Sequence, residues 1–455
     1  MLRRAYLGLI CIFIATIGFS AGTTEVVTFY SDALGTDRQA LIYLPEAYET
    51  SGLAYPVIYF VAGHAATAGN WYSDPELVAE LDLLIGGNYI DPFILVEADP
   101  STNPWDLPGF AMPSHMTDSE LNGDFEGYMV EDVVGFVDTN YRTRAERAHR
   151  YIIGRSAGGL GAARLGFRFP EVFGGLGLHV PMACIEPAAY MIPMILAEYP
   201  DGPPYELEPT AGSASFMLMS WQAALTPNLA EPPWYVDSII DSDGVLVEEV
   251  WNRLVSGSAT YEAAAFAATG EKLDIVMDLG DSDPYLMFGA VLDDVLEDLE
   301  LPHTTHVFEG DHNTPMEKRM QAHITHFLPL KAVATTTTTV DVRLHHSTVP
   351  IEVELPGDID PAEIDAASVA VTAVNGAKLA LCVGCTGSLL TGDGDGDGVD
   401  DATVEIPVQK LLRALVNSDV REFGTATVTV RGVLNDDRCF EAEVNLQVGQ
   451  VPAFE

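Results

Sequence analysis

The 455-residue chain is 48% hydrophobic, with 40 Gly and 28 Pro, which is enough apolar material for a large core and too much for a disordered polypeptide. It carries 67 Asp and Glu against 22 Lys and Arg, a formal net charge of -45, and such a surface repels nucleic acid and anionic membranes, both polyanions, so no nucleic-acid partner is expected. At roughly 100–200 residues per domain, this length predicts two or three domains.

In chain order, Arg3 and Arg4 precede an apolar run from Leu7 to Phe19, and the small residues Ser20, Ala21 and Gly22 follow. This is the pattern of a secretory signal peptide over residues 1–22, and the run is shorter than the ~20 residues a spanning helix needs. The expected location is secreted, periplasmic or cell-surface, with no stable membrane span once the signal is removed. Cys184, Cys382, Cys385 and Cys439 remain after it. Disulfides are permitted in such a compartment, with Cys382 and Cys385 pairing locally or one of them reaching Cys439. The lone CxxC, with no second pair, argues against zinc.

Residues 23–331 alternate strand-like and helix-like stretches, which predicts an α/β fold with a mainly parallel sheet. PVIYFVAG (56–63), DPFILVEA, YIIG, GGLGLHV and LDIVMDLG are short apolar runs suited to strands covered on both faces. Helical spacing of Met129, Val133, Phe136 and Val137 predicts a helix over Tyr128 to Tyr141, and Val291, Leu292, Val295 and Leu296 predict one over Leu286 to Leu299. The stretch 186–257, rich in Pro, Met, Trp and Tyr, is read either as a cap over the sheet's end or as ordinary connecting helices. The Thr-rich segment 332–340 is read as a linker. Residues 341–455 alternate apolar and polar positions in several runs, such as IEVEL and TATVTVRG, which predicts an all-β sandwich domain.

Chemistry concentrates at Gly154-Arg155-Ser156-Ala157-Gly158, a GxSxG between a strand and a helix. A serine there sits on a sharp turn, the flanking glycines give it clearance, and the following helix N-terminus favours developing negative charge. A serine hydroxyl needs a base. Downstream, Asp281 and Asp283 follow a strand and His312 follows the next one, in the order serine, acid, histidine. Asp283 is preferred over Asp281, and Asp311, adjacent to His312, would point elsewhere. The oxyanion donors are assigned to the backbone N–H groups of Ala157 and His64. No cofactor is expected for catalysis.

Asp393, Asp395, Asp397 and Asp401 occupy positions one, three, five and nine of a calcium-type loop, with Gly398 at six. Val404 stands at position twelve, where an EF-hand has a carboxylate, so the expectation is a structural calcium turn in the C-terminal region rather than an EF-hand.

The segments ALGTDRQALIYLPEAY, YPVIYFVAGHA, NGDFEGYMVEDVVGFVDTNYRT, YIIGRSAGGLGAARLGFRFPEVFGG, DLGDSDPYL and FEGDH, in that order, resemble the esterase family that includes esterase D (S-formylglutathione hydrolase), feruloyl esterases, enterochelin esterases and mycolyltransferases. The resemblance spans residues from about 26 to 330. It implies an α/β-hydrolase fold, an acid at the end of G-x-x-D (Asp283) and an oxyanion N–H just after the strand-end glycine (His64). It further implies a serine ester hydrolase, with acyl transfer to an alcohol as the alternative and an inactive surface protein as the less favoured one. Extracellular acyl, feruloyl or polymer- and lipid-linked esters are the expected substrates, including polysaccharide-linked ones. Ala62, Ala157 and Asn313-Thr314-Pro315 depart from the family's usual residues; they leave the catalytic set intact and bear on the acyl group. With a linker at 332–340, deletion of residues 338–455 is expected to preserve turnover of small esters.

Overall fold

A computed structural model describes residues 22–448 except 65, 69–74, 211, 315, 337–338, 341–347, 358, 386, 388, 393–398 and 418–423. β1 (Thr23–Ser31) and β2 (Thr36–Leu44) form an antiparallel hairpin at one sheet edge. After the one-turn α1 (Tyr48–Ser51) and β3 (Val57–Val61) comes α2 (Pro75–Gly86), then β4 (Ile94–Ala98) and a small ribbon of β5 (Ser101–Thr102) and β6 (Met112–Pro113). The helix expected over 128–141 is present as α3 (Phe125–Gly127), a π-helical segment Tyr128–Val133 and α4 (Val134–Asn140). β7 (Arg150–Arg155), α5 (Ala157–Arg168) and β8 (Gly175–His179) follow. The stretch 186–257 holds α6 (Ile192–Ala197), α7 (Ala214–Leu225) and α8 (Glu248–Val255). Then come α9 (Ala259–Thr269), β9 (Asp274–Gly280), α10 (Leu286–Asp298), β10 (Thr304–Phe308) and α11 (Met316–Phe327).

Eight strands form one sheet in the order β1-β2-β4-β3-β7-β8-β9-β10, parallel from β4 onward. β3, β4, β7 and β8 are buried at every residue, as expected for strands covered on both faces. Their side chains alternate between two cores: Val57, Tyr59 and Val61 meet α4, α5, α9 and α10, while Ile58 and Phe60 join α2 and α11. This is the α/β-hydrolase architecture, with the C-terminal ends of β3, β7, β8, β9 and β10 at one rim.

The C-terminal region adds β11 (Leu330–Lys331), β12 (Val333–Thr335), β13 (Thr339–Val340), β14 (Thr348–Glu354), β15 (Ala370–Val374), β16 (Ala377–Gly384), β17 (Leu389–Gly392), β18 (Asp401–Pro407), α12 (Val408–Asn417), β19 (Gly424–Val433) and β20 (Cys439–Val448). One sheet runs β11-β20-β19-β15-β16, with β13 also on β20, and the other runs β12-β14-β18-β17. α12 was not expected; Val408, Leu411, Ala414 and Leu415 are buried at helical spacing within a region otherwise patterned for strands.

Two expectations need correction. The Thr-rich segment is not a free linker, because β12 pairs with β14 and β13 with β20. Its Val and Thr residues are β-branched and pack well in a sheet, which explains why the segment extends into both sheets. Nor is the C-terminal region independent. Leu77, Leu81 and Leu84 of α2 and Met320, Ile324 and Phe327 of α11 belong to the same buried cluster as Val349, Ile351, Val430 and Phe440. Across this contact the Cys439 N–H donates to Thr325 Oγ1 at 3.0 Å, and Arg431 donates to the His326 carbonyl. Deletion of residues 338–455 is therefore expected to expose that cluster and cost the protein its cooperative fold. Thermal melting and solubility of the fragment check this, and a soluble fragment with an unchanged melting transition would refute it. Cys385 and Cys439 carry free thiols, as does the buried Cys184, so the pairings weighed from sequence that involve Cys385 or Cys439 are not formed; Cys439 instead lies buried against α11. Among the described residues, no helix is long and apolar enough to cross a membrane.

Candidate active site

β7 delivers Arg155 to the rim, the chain turns at Ser156, and α5 begins at Ala157. Ser156 has φ 53° and ψ -123°, a conformation unfavourable for a residue with a Cβ. Three backbone hydrogen bonds hold it: Ser156 N–H to the His179 carbonyl (3.1 Å), and Met182 and Gly159 N–H to the Ser156 carbonyl (2.9 Å each). The flanking glycines are obligatory. A Cβ on Gly154 would lie 2.5 Å from Ala162 Cβ, and one on Gly158 would lie 2.2 Å from the Val61 carbonyl oxygen.

His312, in the turn after β10, places Nε2 2.8 Å from Ser156 Oγ and Nδ1 2.8 Å from Asp283 Oδ2. A carboxylate only accepts, so Nδ1 carries the proton donated to Asp283 and Nε2 accepts from the serine hydroxyl. Asp283 is 6% exposed, and its Oδ1 accepts the Tyr285 N–H at 2.7 Å. Asp281 is exposed and directed elsewhere: its Oδ1 accepts the Gly310 N–H at 3.0 Å, joining the β9 turn to the β10 turn. Asp311 is also exposed and accepts from the Asn313 N–H.

Ala157 is the first residue of α5, where a helix leaves its N–H without an intrahelical acceptor. The turn after β3 presses on the nucleophile, since a Cβ on Gly63 would lie 3.2 Å from Ser156 Cβ. His64, the next residue, lines the same cleft as Ser156. The His64 ring lines the cleft, packs edge-on to Phe216 at 4.8 Å between centroids, and is held neutral by burial, which lowers its pKa. The cleft is about 540 Å³, and Met182, Met217 and Tyr285 supply apolar wall beside Ser156 and His312. Met217 and Ser213 bring the 186–257 stretch to the cleft, while Trp221 of the same helix is fully buried in the core.

Three contributors escaped the sequence reading. Arg155, the variable residue inside GxSxG, donates from Nη2 to the His312 carbonyl at 2.8 Å and so ties the His312 loop to β7. Tyr285, two residues beyond Asp283, packs edge-on to the His312 ring at 4.9 Å. His115, in a loop with no sequence signature, has Nδ1 3.2 Å from the Ala157 carbonyl and Nε2 3.2 Å from Ser220 Oγ.

Burial lowers the His115 pKa to about 3. The unfolded chain takes up this proton near pH 6.5 and the folded chain only near 3, so stability falls as pH drops through that window, by up to about 1.4 kcal/mol per pH unit. His115→Asn keeps a donor and tolerates the residue's φ of 54°. The variant is expected to lose stability more gently between pH 6.5 and 4 in urea titrations, and equal slopes would refute the assignment.

Of the acidic loop, Asp393, Asp395 and Asp397 lie outside the described residues. Asp401 opens β18, buried, opposite Gly392 of β17.

The "Putative esterase" family model matches residues 31–316. An endo-1,4-β-xylanase/feruloyl esterase of Xylanibacter ruminicola is 30% identical over 161 residues, 34% of this chain and 21% of that protein. Esterase Rv1288 of Mycobacterium tuberculosis is 26% identical over 151 residues, 33% of this chain and 30% of that protein. The chain thus spans less than a third of the length of either curated relative. Among solved structures, a ferulic acid esterase (18% identity, 64% of this chain and 91% of that one, TM-score 0.45) is similar. So is an S-formylglutathione hydrolase from Agrobacterium tumefaciens (16% identity, 68% and 97%, TM-score 0.45).

Proposed function

Because this chain belongs to the Putative esterase family, we propose that it is a serine carboxylic-ester hydrolase working through an acyl-enzyme. The observation that carries the reading is the unbroken hydrogen-bond chain Ser156 Oγ–His312–Asp283, 2.8 Å at each step, on a serine held at positive φ. As Ser156 attacks the ester carbonyl, His312 Nε2 takes its proton and Asp283 stabilises the imidazolium. The Ala157 and His64 N–H groups receive the oxyanion. His312 then protonates the leaving alcohol, and water, deprotonated by His312, releases the acid.

The substrate class proposed is an extracellular acyl, feruloyl, or polymer- or lipid-linked ester. The apolar wall of Met182, Met217 and Tyr285 supports an apolar or aromatic acyl group. The signal-like residues 1–22 support a secreted, periplasmic or cell-surface location, and the spacing of Asp393, Asp395, Asp397 and Asp401 supports a structural calcium. The test is hydrolysis of short- and medium-chain p-nitrophenyl esters and of a methyl ferulate ester, with and without an added alcohol acceptor. Free acid as product supports the hydrolase. A new ester that outcompetes hydrolysis at low acceptor concentration would instead make the protein an acyltransferase.

A further inference from the structure

One level below the triad, four polar side chains stand side by side across the sheet. The register places Arg155 of β7 opposite His179 of β8, His179 opposite Asp278 of β9, and Asp278 opposite His306 of β10. Residues in register on neighbouring strands point to the same face, and here that face is covered by α11. His179 Nδ1 lies 2.8 Å from Asp278 Oδ1 and His323 Nε2 lies 3.2 Å from it, while Arg319 Nε donates to Asp278 Oδ2 at 3.1 Å. Asp278, His179 and His323 are each 1% exposed or less. Burial alone would raise the Asp278 carboxyl, yet the adjoining His179 and His323 hold it well below the ordinary value.

These three side chains are close enough to hold a metal ion. The Arg319 guanidinium already neutralises the same carboxylate, and a divalent cation would add uncompensated buried charge. The cluster is therefore read as an ion-paired platform.

The platform is completed from the far end of the chain. Asp437, in the β19–β20 turn, accepts from Arg319 Nη1 at 2.9 Å through Oδ2 and pairs with His306 Nδ1 at 3.0 Å through Oδ1. The strands joined in this way carry the active site. β8 supplies the His179 carbonyl that holds Ser156 N–H, β9 runs on to Asp283, β10 runs on to His312, and Arg155 reaches up to the His312 carbonyl.

We propose that Asp437 of the C-terminal region is a positioning residue for the catalytic triad, acting through Arg319 and the row His306–Asp278–His179–Arg155. The C-terminal sheets are then part of the catalytic unit as well as of the fold. This rests on the serine-hydrolase reading. A displacement of about 1 Å among reacting groups costs up to ~10²-fold in rate, so loosening the row acts on kcat and leaves the open cleft's affinity alone.

The experiment uses the full chain and the variants Asp437→Ala, Asp437→Asn and Arg438→Ala. Arg438 lies in the same turn but pairs only with Asp436 and Glu363 among the described residues. Readouts are kcat and KM on a p-nitrophenyl ester, the rate of Ser156 labelling by a fluorophosphonate, and thermal melting. Asp437→Ala is expected to lower kcat and the labelling rate by about 10- to 100-fold with KM within about twofold. Asp437→Asn keeps the shape if the alanine variant does not fold and is expected to lose about 3- to 10-fold, while Arg438→Ala stays at the wild-type rate. Combining Asp437→Ala with Arg155→Met is expected to cost less than the product of the two single losses. Folded Asp437 variants at the wild-type rate, an equal loss in Arg438→Ala, or strictly multiplicative losses in the double variant each overturn the proposal. Failure of wild-type Ser156 to label is a different result: it overturns the serine-hydrolase reading itself, and the positioning role with it.

Discussion

Ser156→Ala is expected to lower kcat on p-nitrophenyl esters by on the order of 10⁴- to 10⁶-fold while the protein stays folded. The hydroxyl is the one group that forms and breaks the acyl bond, and neither His312 nor the oxyanion donors can replace it. What survives is the background from binding and the oxyanion hole, since the Ala157 and His64 backbones do not depend on the hydroxyl. The substitution removes one oxygen from a side chain 5% exposed and leaves the three backbone hydrogen bonds of the turn in place, so the melting temperature should move little. The check is kcat by stopped assay together with a melt. Residual turnover above a hundredth of wild type in a folded Ser156→Ala protein would place the nucleophile elsewhere.

The second large effect separates two carboxylates that sequence left side by side. Asp283→Asn is expected to lower kcat by about 10⁴-fold. The asparagine amide can present a donor to His312 Nδ1 and hold the wrong tautomer, which places the N–H at Nε2 and leaves no acceptor for the serine proton. Asp281→Asn is expected to stay within a fewfold of wild type. Its Oδ1 accepts a backbone N–H from Gly310, a bond that an asparagine oxygen also makes, and it makes no contact with the base. Parallel kcat measurements on the two variants decide the matter, and the reverse ordering would reassign the acid. KM should change little in either case, because the acid lies behind the imidazole rather than against the substrate.

Much of the site was legible because its chemistry is written in short segments. Gly154 and Gly158 flank Ser156 at a spacing that the turn's steric limits impose, and the clearances of 2.5 Å and 2.2 Å show why. The order of serine, acid and histidine, each just past a strand, follows from parallel strands that end at one rim. The preference for Asp283 over Asp281 gained support from the family's G-x-x-D stretch, but both follow β9 and only the curl of the turn buries one and exposes the other. Arg155 was hidden inside the motif as its variable residue. Tyr285 and His115 carried no signal, because their neighbours are 27 and 42 residues away in sequence and are met only through the fold.

The C-terminal region shows the same division more sharply. Period-2 alternation predicted its strands, and α12 escaped because one helix-spaced run of ten residues sits among them. The Thr-rich stretch was misread because composition resembles a linker while β-branching favours a strand, and only pairing with β14 and β20 settles which property prevails.

The sequence by itself determined the parallel sheet, the sharp turn at Ser156 and the strands of the C-terminal sheets, because each is dictated by periodicity, chirality and steric clearance within a few residues. The tertiary structure decided which carboxylate meets His312, that the C-terminal sheets share a core with α2 and α11, and that Asp437 pairs with Arg319 and His306 beneath Ser156 and His312. Those depend on which side chains meet across the fold, from 29 residues apart for Asp283 and His312 to 118 for Asp437 and Arg319. The burial of charge that makes such a meeting consequential exists only once the chain has packed.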